Sequence, residues 1–281
     1  MKRKTTRRTI TLAAAALLFS ACASTDEPSK PTKTAAPEPV GLTASQDGYT
    51  LRLSSQKTTA GETRPIEFTI VGPGDKAVTK FDVAHEKKLH FIVVRRDFTG
   101  FQHVHPEMDS AGRWTTSVDL EPGPWRVFAD FVPSGGDPLT LGADLAVDGD
   151  YQAEQAMPEK RTSDVDDYQV TLDGDLASGM SSEVTLTVTK SGKPVTDLQP
   201  YLGAYGHLVA LREKDLAYLH VHPGGKPKAG PNVVFYAEVP SGGRYHLFFD
   251  FRHEDVVRTA DFVVKTGPGE VPSLGGDHSG H

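Results

Sequence analysis

The chain is nearly without cysteine: among its 281 residues only Cys22 is one. No disulfide can staple the folded part, so its domains must hold by core packing. Methionine is confined to Met1, Met108, Met157 and Met180, which leaves no all-sulfur site for Cu(I). Basic residues are in the minority, 30 Lys and Arg against 37 Asp and Glu for a formal charge of −7. No basic patch spans a domain, so nucleic acid is not expected as a partner. A sustained 3.6-residue apolar period is missing, and with it the expectation of long helices. Catalytic signatures are missing too: there is no Gly-x-Ser-x-Gly elbow, no phosphate loop and no His-Glu-x-x-His, and the chain is not expected to be an enzyme.

What is present begins with an export pattern. A basic start, "MKRKTTRR", precedes the apolar run "ITLAAAALLFSA", and Cys22 follows directly. That run is too short to span a bilayer, so residues 1–21 are expected to be a cleaved signal peptide. "LLFSAC" resembles the bacterial lipoprotein box, with Phe19 where an aliphatic residue is usual. The resemblance implies lipidation of Cys22 and an anchor on the extracytoplasmic face of the bacterial cell membrane. Loss of the five basic residues of the signal would leave a formal charge of −12. Residues 22–44, rich in Pro, Ser, Thr and Ala, are expected to be a disordered tether.

From Gly48 onward, short alternating apolar runs are broken by Gly, Pro and Asp, as in "YTLRLSS", "LHFIVVRR" and "WRVFADFVP". These are strand signals. The series occurs twice. His90–Pro106 maps on His207–Pro223 at a constant offset of 117, with identical residues at His90/His207, Arg95/Arg212, His103/His220, Val104/Val221, His105/His222 and Pro106/Pro223. "WRVFADF" likewise matches "YHLFFDF", which sets Asp130 opposite Asp250. The expected fold is all-β: two tandem immunoglobulin-like β-sandwiches at 45–148 and 166–266, joined by a linker at 149–165. A Gly- and Pro-rich tail, 267–281, is expected to be disordered, and its His278 and His281 to capture metal weakly at most.

Six of the 11 histidines sit in the duplicated stretch. Side chains alternate faces along a strand, so His103 and His105 point the same way, as do His220 and His222. His90 and His207 lie on the preceding strand of each copy. An even-numbered loop between the strands puts the leading histidine on the face of the other two, whereas an odd loop puts it on the opposite face. Three converging neutral imidazoles suit Cu(II) or Zn(II). The expected metal ligands are therefore His90, His103 and His105 in one repeat and His207, His220 and His222 in the other. Water, Asp130 or Asp250, or Glu107 could supply a fourth ligand, and the two aspartates could instead orient a ligand imidazole. Two alternatives stay open. The histidines could be structural, closing the rim of a sandwich in an interaction module, or the two copies could meet across the domain interface and form one shared site. A metallohydrolase is a distant third possibility. His85, His246 and His253 have no counterpart in the other repeat and are expected at the surface.

The stretch "LHFIVVRRDFTGFQHVHPEMDSAGRW" with "GPWRVFADFVPSGG" resembles the extracytoplasmic YtkA-like and FixH-like β-sandwich domains of bacterial, especially actinobacterial, secreted proteins and lipoproteins. That resemblance, over the two repeat cores, implies an immunoglobulin-like fold and a role in handling copper or another heavy metal. It draws attention to His90, His103, His105 and their counterparts. The expectation is thus a membrane-anchored lipoprotein that binds Cu(II) or Zn(II) for sequestration or delivery, with the membrane, the ion and an extracytoplasmic metal-handling protein as partners.

Overall fold

In the computed structural model, residues 39–154, 157–219 and 221–267 are described. The expected signal peptide, Cys22, most of the tether, His220, and the tail with His278 and His281 lie outside them. The described residues carry strands and no helix, and no helix is long and apolar enough to cross a membrane.

Two immunoglobulin-like sandwiches follow one another. In the first, one sheet runs Ser45–Gln46, Tyr49–Leu53, Gly61–Gly72, Arg113–Leu120, Glu107–Met108 in spatial order. The facing sheet runs Lys57–Thr59, Leu139–Asp148, Gly123–Pro133, Leu89–Arg95, Gln102–Val104. The second sandwich repeats the plan. Thr162–Val165, Tyr168–Asp173, Met180–Lys190, Asn232–Val239 and Val221–Pro223 form one sheet, and Tyr218–Leu219, His207–Arg212, Arg244–His253 and Val256–Lys265 the other. Each has its own core. Phe68, Phe91, Trp114 and Trp125 fill the first; Tyr168, Phe235, Tyr245 and Phe249 fill the second.

A third apolar cluster joins the repeats: Ile92, Val94, Phe98 and Phe128 pack with Val209, Leu211, Leu216, Tyr218 and Phe248. It explains why "LHFIVVR" is apolar without alternation. Every residue of the Leu89–Arg95 strand is buried. Leu89, Phe91 and Val93 face their own core, while Ile92 and Val94 face the other repeat. Strands covered on both sides lose the in–out pattern of a half-exposed strand.

Two boundaries differ from the sequence reading. Thr162–Val165, assigned to the linker, pairs with Tyr168–Thr171 as a hairpin arm. The last residues assigned to the tether are built into the fold: Gly41 donates to the Thr140 carbonyl, the Val40 carbonyl accepts from Tyr218 N, and the Arg126 guanidinium donates to the carbonyls of Gly41 and Leu42. Val40 packs against the cluster between the repeats, so apolar burial and carbonyl pairing hold a segment whose composition looks unstructured.

A candidate metal centre between the repeats

The first hairpin has the parity that convergence requires. A six-residue loop, Arg96–Phe101, joins Leu89–Arg95 to Gln102–Val104. The register is Phe91↔Val104, Ile92↔His103, Val93↔Gln102. Continued by one pair on each side, it sets His90 across from His105. The loop is pinned by Arg95, whose Nε donates to Asp97 Oδ1 at 3.0 Å and Thr99 Oγ1 at 2.8 Å. As a result, one ring nitrogen of each of His90, His103 and His105 lies within 4.8 Å of the other two.

Hydrogen bonds fix which nitrogens face inward. His90 Nε2 is 3.1 Å from the carbonyl of Ala84, an oxygen that can only accept, so that nitrogen carries the proton. The lone pair of His90 Nδ1 then points at His103 Nε2, 3.0 Å away. On its far side, His103 Nδ1 is 2.8 Å from Asp250 Oδ2, and Thr259 Oγ1 donates to Asp250 Oδ1 at 2.6 Å. A carboxylate accepts, so His103 Nδ1 is the donor. The 3.0 Å gap between the inner nitrogens therefore needs a positive centre, either a proton that makes His103 an imidazolium or a metal ion. Tetrahedral ligands on an ion with bonds of 2.0–2.1 Å stand about 3.3–3.4 Å apart, so the pair would open by a few tenths of an ångström to admit one. His105 Nε2 is buried with no hydrogen-bond partner; an orphaned buried ring nitrogen is costly unless something binds it.

Burial keeps His90 and His105 neutral. Burial, with His103 beside it, holds His90 down at about 4. Burial, with His103 and His90 next to it, holds His105 at about 3. Neutral imidazole is the form that ligates.

The second repeat does not copy this arrangement within the described residues. Its edge strand pairs with His207–Arg212 only at Tyr218 and Leu219. Val221–Pro223 has already crossed to the other sheet, with His222 opposite Tyr236. In the first repeat the crossing comes later, after Val104, where Glu107–Met108 pairs with Thr115 and Trp114 of the other sheet. His222 thereby pairs in the other sheet from the one that holds His207, and His220 lies outside the described residues. Instead, His207 turns to the first repeat. Its ring centre lies 5.3 Å from that of His90, with the planes 6° apart, and 4.7 Å from that of His103. Burial and the nearby His103 push the His207 pKa well below the usual imidazole range.

The two aspartates part company. Asp250, opposite His207 in its own sheet, reaches across to His103. Asp130, opposite His90, accepts from Thr140 Oγ1 at 3.4 Å, and burial pushes it up to about 6. Glu107 is exposed on the other sheet, paired across from Thr115. Three histidines expected at the surface do other work. His85 is exposed, yet its ring centre lies 5.9 Å from that of His90 and 5.7 Å from that of His207, both in T-shaped arrangement. His246 is buried and stacks on Phe98 at 3.7 Å, and His253 is buried with Nδ1 2.7 Å from the Tyr168 hydroxyl. A lone histidine in a strand or turn carries no sequence signal of such roles; only the duplicated six stood out.

Both sandwiches match one family profile, described as a domain of unknown function (DUF8832), over residues 44–149 and 163–267. The chain belongs to this family. The histidine cluster thus lies where two DUF8832 domains meet, with ligand candidates from both. No curated protein matches the chain. Among solved structures, the DUF8832 pair is similar to the Escherichia coli adhesin FdeC, at 17% identity over 79% of this chain and 65% of that one, TM-score 0.27. It is similar to the Yersinia pseudotuberculosis adhesin InvE, at 10% identity over 77% and 58%, TM-score 0.23, and to the S-layer protein SbsC domains 4 and 5, at 10% over 77% and 96%, TM-score 0.25. The chain spans less than two thirds of the length of the two adhesin structures. At these identities the likeness is one of fold type only.

Proposed function

We propose that this protein is an extracytoplasmic lipoprotein, anchored through Cys22, that binds one Cu(II) or Zn(II) ion per chain at His90, His103 and His105 for sequestration or delivery to a metal-handling partner. The observation that carries the reading is the facing pair of inner nitrogens, His90 Nδ1 and His103 Nε2 at 3.0 Å, with both outer nitrogens already committed to Ala84 and Asp250. A carboxylate or carbonyl on the outer nitrogen fixes the tautomer and raises ligand basicity, as around known metal-bound histidines. The buried, unpaired His105 Nε2 supports a third ligand. The extracytoplasmic and lipidated parts of the reading rest on the "LLFSAC" motif, and the copper association on the resemblance to YtkA-like and FixH-like domains.

A second reading has its own observation. The His103–Asp250 contact, with both side chains almost fully buried, could be an imidazolium–carboxylate pair that only holds the repeats together, as in an interaction module. Metal titration of the full chain separates the two. On the metal reading, an ion at 100 times its Kd stabilises the fold by about 2.7 kcal/mol, and His103→Ala removes that gain. An unchanged thermal transition with both Zn(II) and Cu(II) would refute it.

A further inference from the structure

Resting on that reading, we infer that the ion is shared by the two repeats: His207 of the second completes the trio of the first, and metal binding fastens the sandwiches together.

The spacing of the rings carries the inference. Within the trio the ring centres are 5.2, 5.1 and 4.8 Å apart. His207 stands at 5.3 Å from His90 and 4.7 Å from His103, the same range. Imidazoles on one tetrahedral ion with bonds of 2.0–2.1 Å have centres about 5 Å apart, so His207 stands beside the trio at ligand spacing from two of its members; its ring nitrogens are not among those gathered within 4.8 Å, and ligation asks the ring to swing toward the ion. Three protein ligands leave a position open, whereas four close it; a closed centre suits holding an ion and uniting two elements.

The second repeat also supplies the group that orients His103. Asp250 and His207 are cross-strand partners on adjacent strands, so one movement of the second sandwich withdraws both from the site. What keeps them in place is the apolar cluster below, where Ile92, Val94 and Phe128 meet Val209, Leu211 and Phe248. Duplication accounts for the convergence. His90 and His207 are equivalent positions, as are Phe128 and Phe248, and the repeats pack equivalent strands against each other as in an isologous dimer. An ion bound only by the docked pair shifts the equilibrium toward docking, and docking raises ion affinity by the same factor.

The test uses the full chain, wild type and His207→Gln, with His207→Ala as a second variant and a thermal melt to establish folding of each. Zn(II) affinity is read by calorimetry, the number of nitrogens on Cu(II) by electron paramagnetic resonance, and docking by hydrogen exchange in His207–Arg212. The inference expects the wild type to bind one ion, to show one more coordinated nitrogen than the variants, and to gain protection in His207–Arg212 on binding. It expects the variants to bind at least about tenfold more weakly and to lose that gain. Variants equal to the wild type in affinity and nitrogen count would overturn the shared site while leaving the trio intact. A wild type that binds neither ion would overturn the trio itself.

Discussion

His103 has both ring nitrogens facing acceptors, the Asp250 carboxylate on one side and the His90 lone pair on the other. Replacing Asp250 by Asn keeps the size and one acceptor but removes the negative charge behind the ligand imidazole of His103. Metal affinity is expected to fall about 10- to 100-fold, the usual cost of removing such a partner, with Zn(II) calorimetry as the measurement. Asp130 invites the opposite experiment. Its folded pKa, raised to about 6 by burial, exceeds that of an unfolded aspartate. The protonated form is therefore favoured in the fold, and stability present at pH below about 4 is lost as pH rises through about 6. Asp130→Asn should stabilise the metal-free protein at pH 7 by on the order of 1–3 kcal/mol and leave it unchanged near pH 3.5. Urea denaturation at the two pH values checks this, and equal stabilisation at both would show that the charge is not the cause.

Whether histidines converge is decided by the two-residue period of the strand and the length of one loop. Inserting a single residue between Gly100 and Phe101 changes the parity of the Arg96–Phe101 loop. If the outgoing strand re-pairs, His103 and His105 turn to the opposite face of the sheet. Such a variant is expected to retain β-sheet circular dichroism and to lose Zn(II) binding altogether. Gly100 itself is at φ 64°, and a Cβ there would meet Trp125 Cη2 at 2.5 Å. Gly100→Ala should cost roughly 1–3 kcal/mol through strain and overpacking, measurable by thermal melt. The duplication, the strand content and the first trio could be read from residues 90–106 and 207–223 alone, because period and loop length are sequence properties. The crossing of the second edge strand could not. Both copies carry His-Val-His-Pro, yet one stays on its sheet through Val104 while the other has left it by Val221. Which sheet an edge strand joins depends on the backbones beside it: in the second repeat Gly224 N donates to the Val234 carbonyl at 2.7 Å, a contact no local pattern announces. His85 escaped notice for the same reason. It reaches the cluster from a tight turn closed by the reciprocal Ala84–Lys87 hydrogen bonds.

At the scale of the molecule, the interface between sandwiches sets the behaviour. Most domain pairs within a chain move relative to one another unless their interface is large and apolar. Here nine buried apolar residues lie between the repeats, and Phe101 of the first stacks on Phe248 of the second at 3.9 Å, with planes 4° apart. Phe248 contributes to neither sandwich core, so its truncation addresses docking in particular. Phe248→Ala removes a buried ring and should cost about 3–5 kcal/mol, nearly all of it from the contact between domains. Each sandwich keeps its own core, so calorimetry is expected to resolve two transitions in the variant and a single one in the parent chain, because uncoupled domains cease to unfold together. The same substitution touches no histidine, but it loosens the strand that carries Asp250 and the strand paired with it that carries His207. Zn(II) should therefore bind the variant more weakly, and saturating Zn(II) should merge its two transitions again, since an ion held by both repeats restores the coupling that the phenyl ring supplied. If the transitions split but Zn(II) neither binds more weakly nor rejoins them, the apolar cluster docks the repeats and the ion belongs to the first sandwich alone.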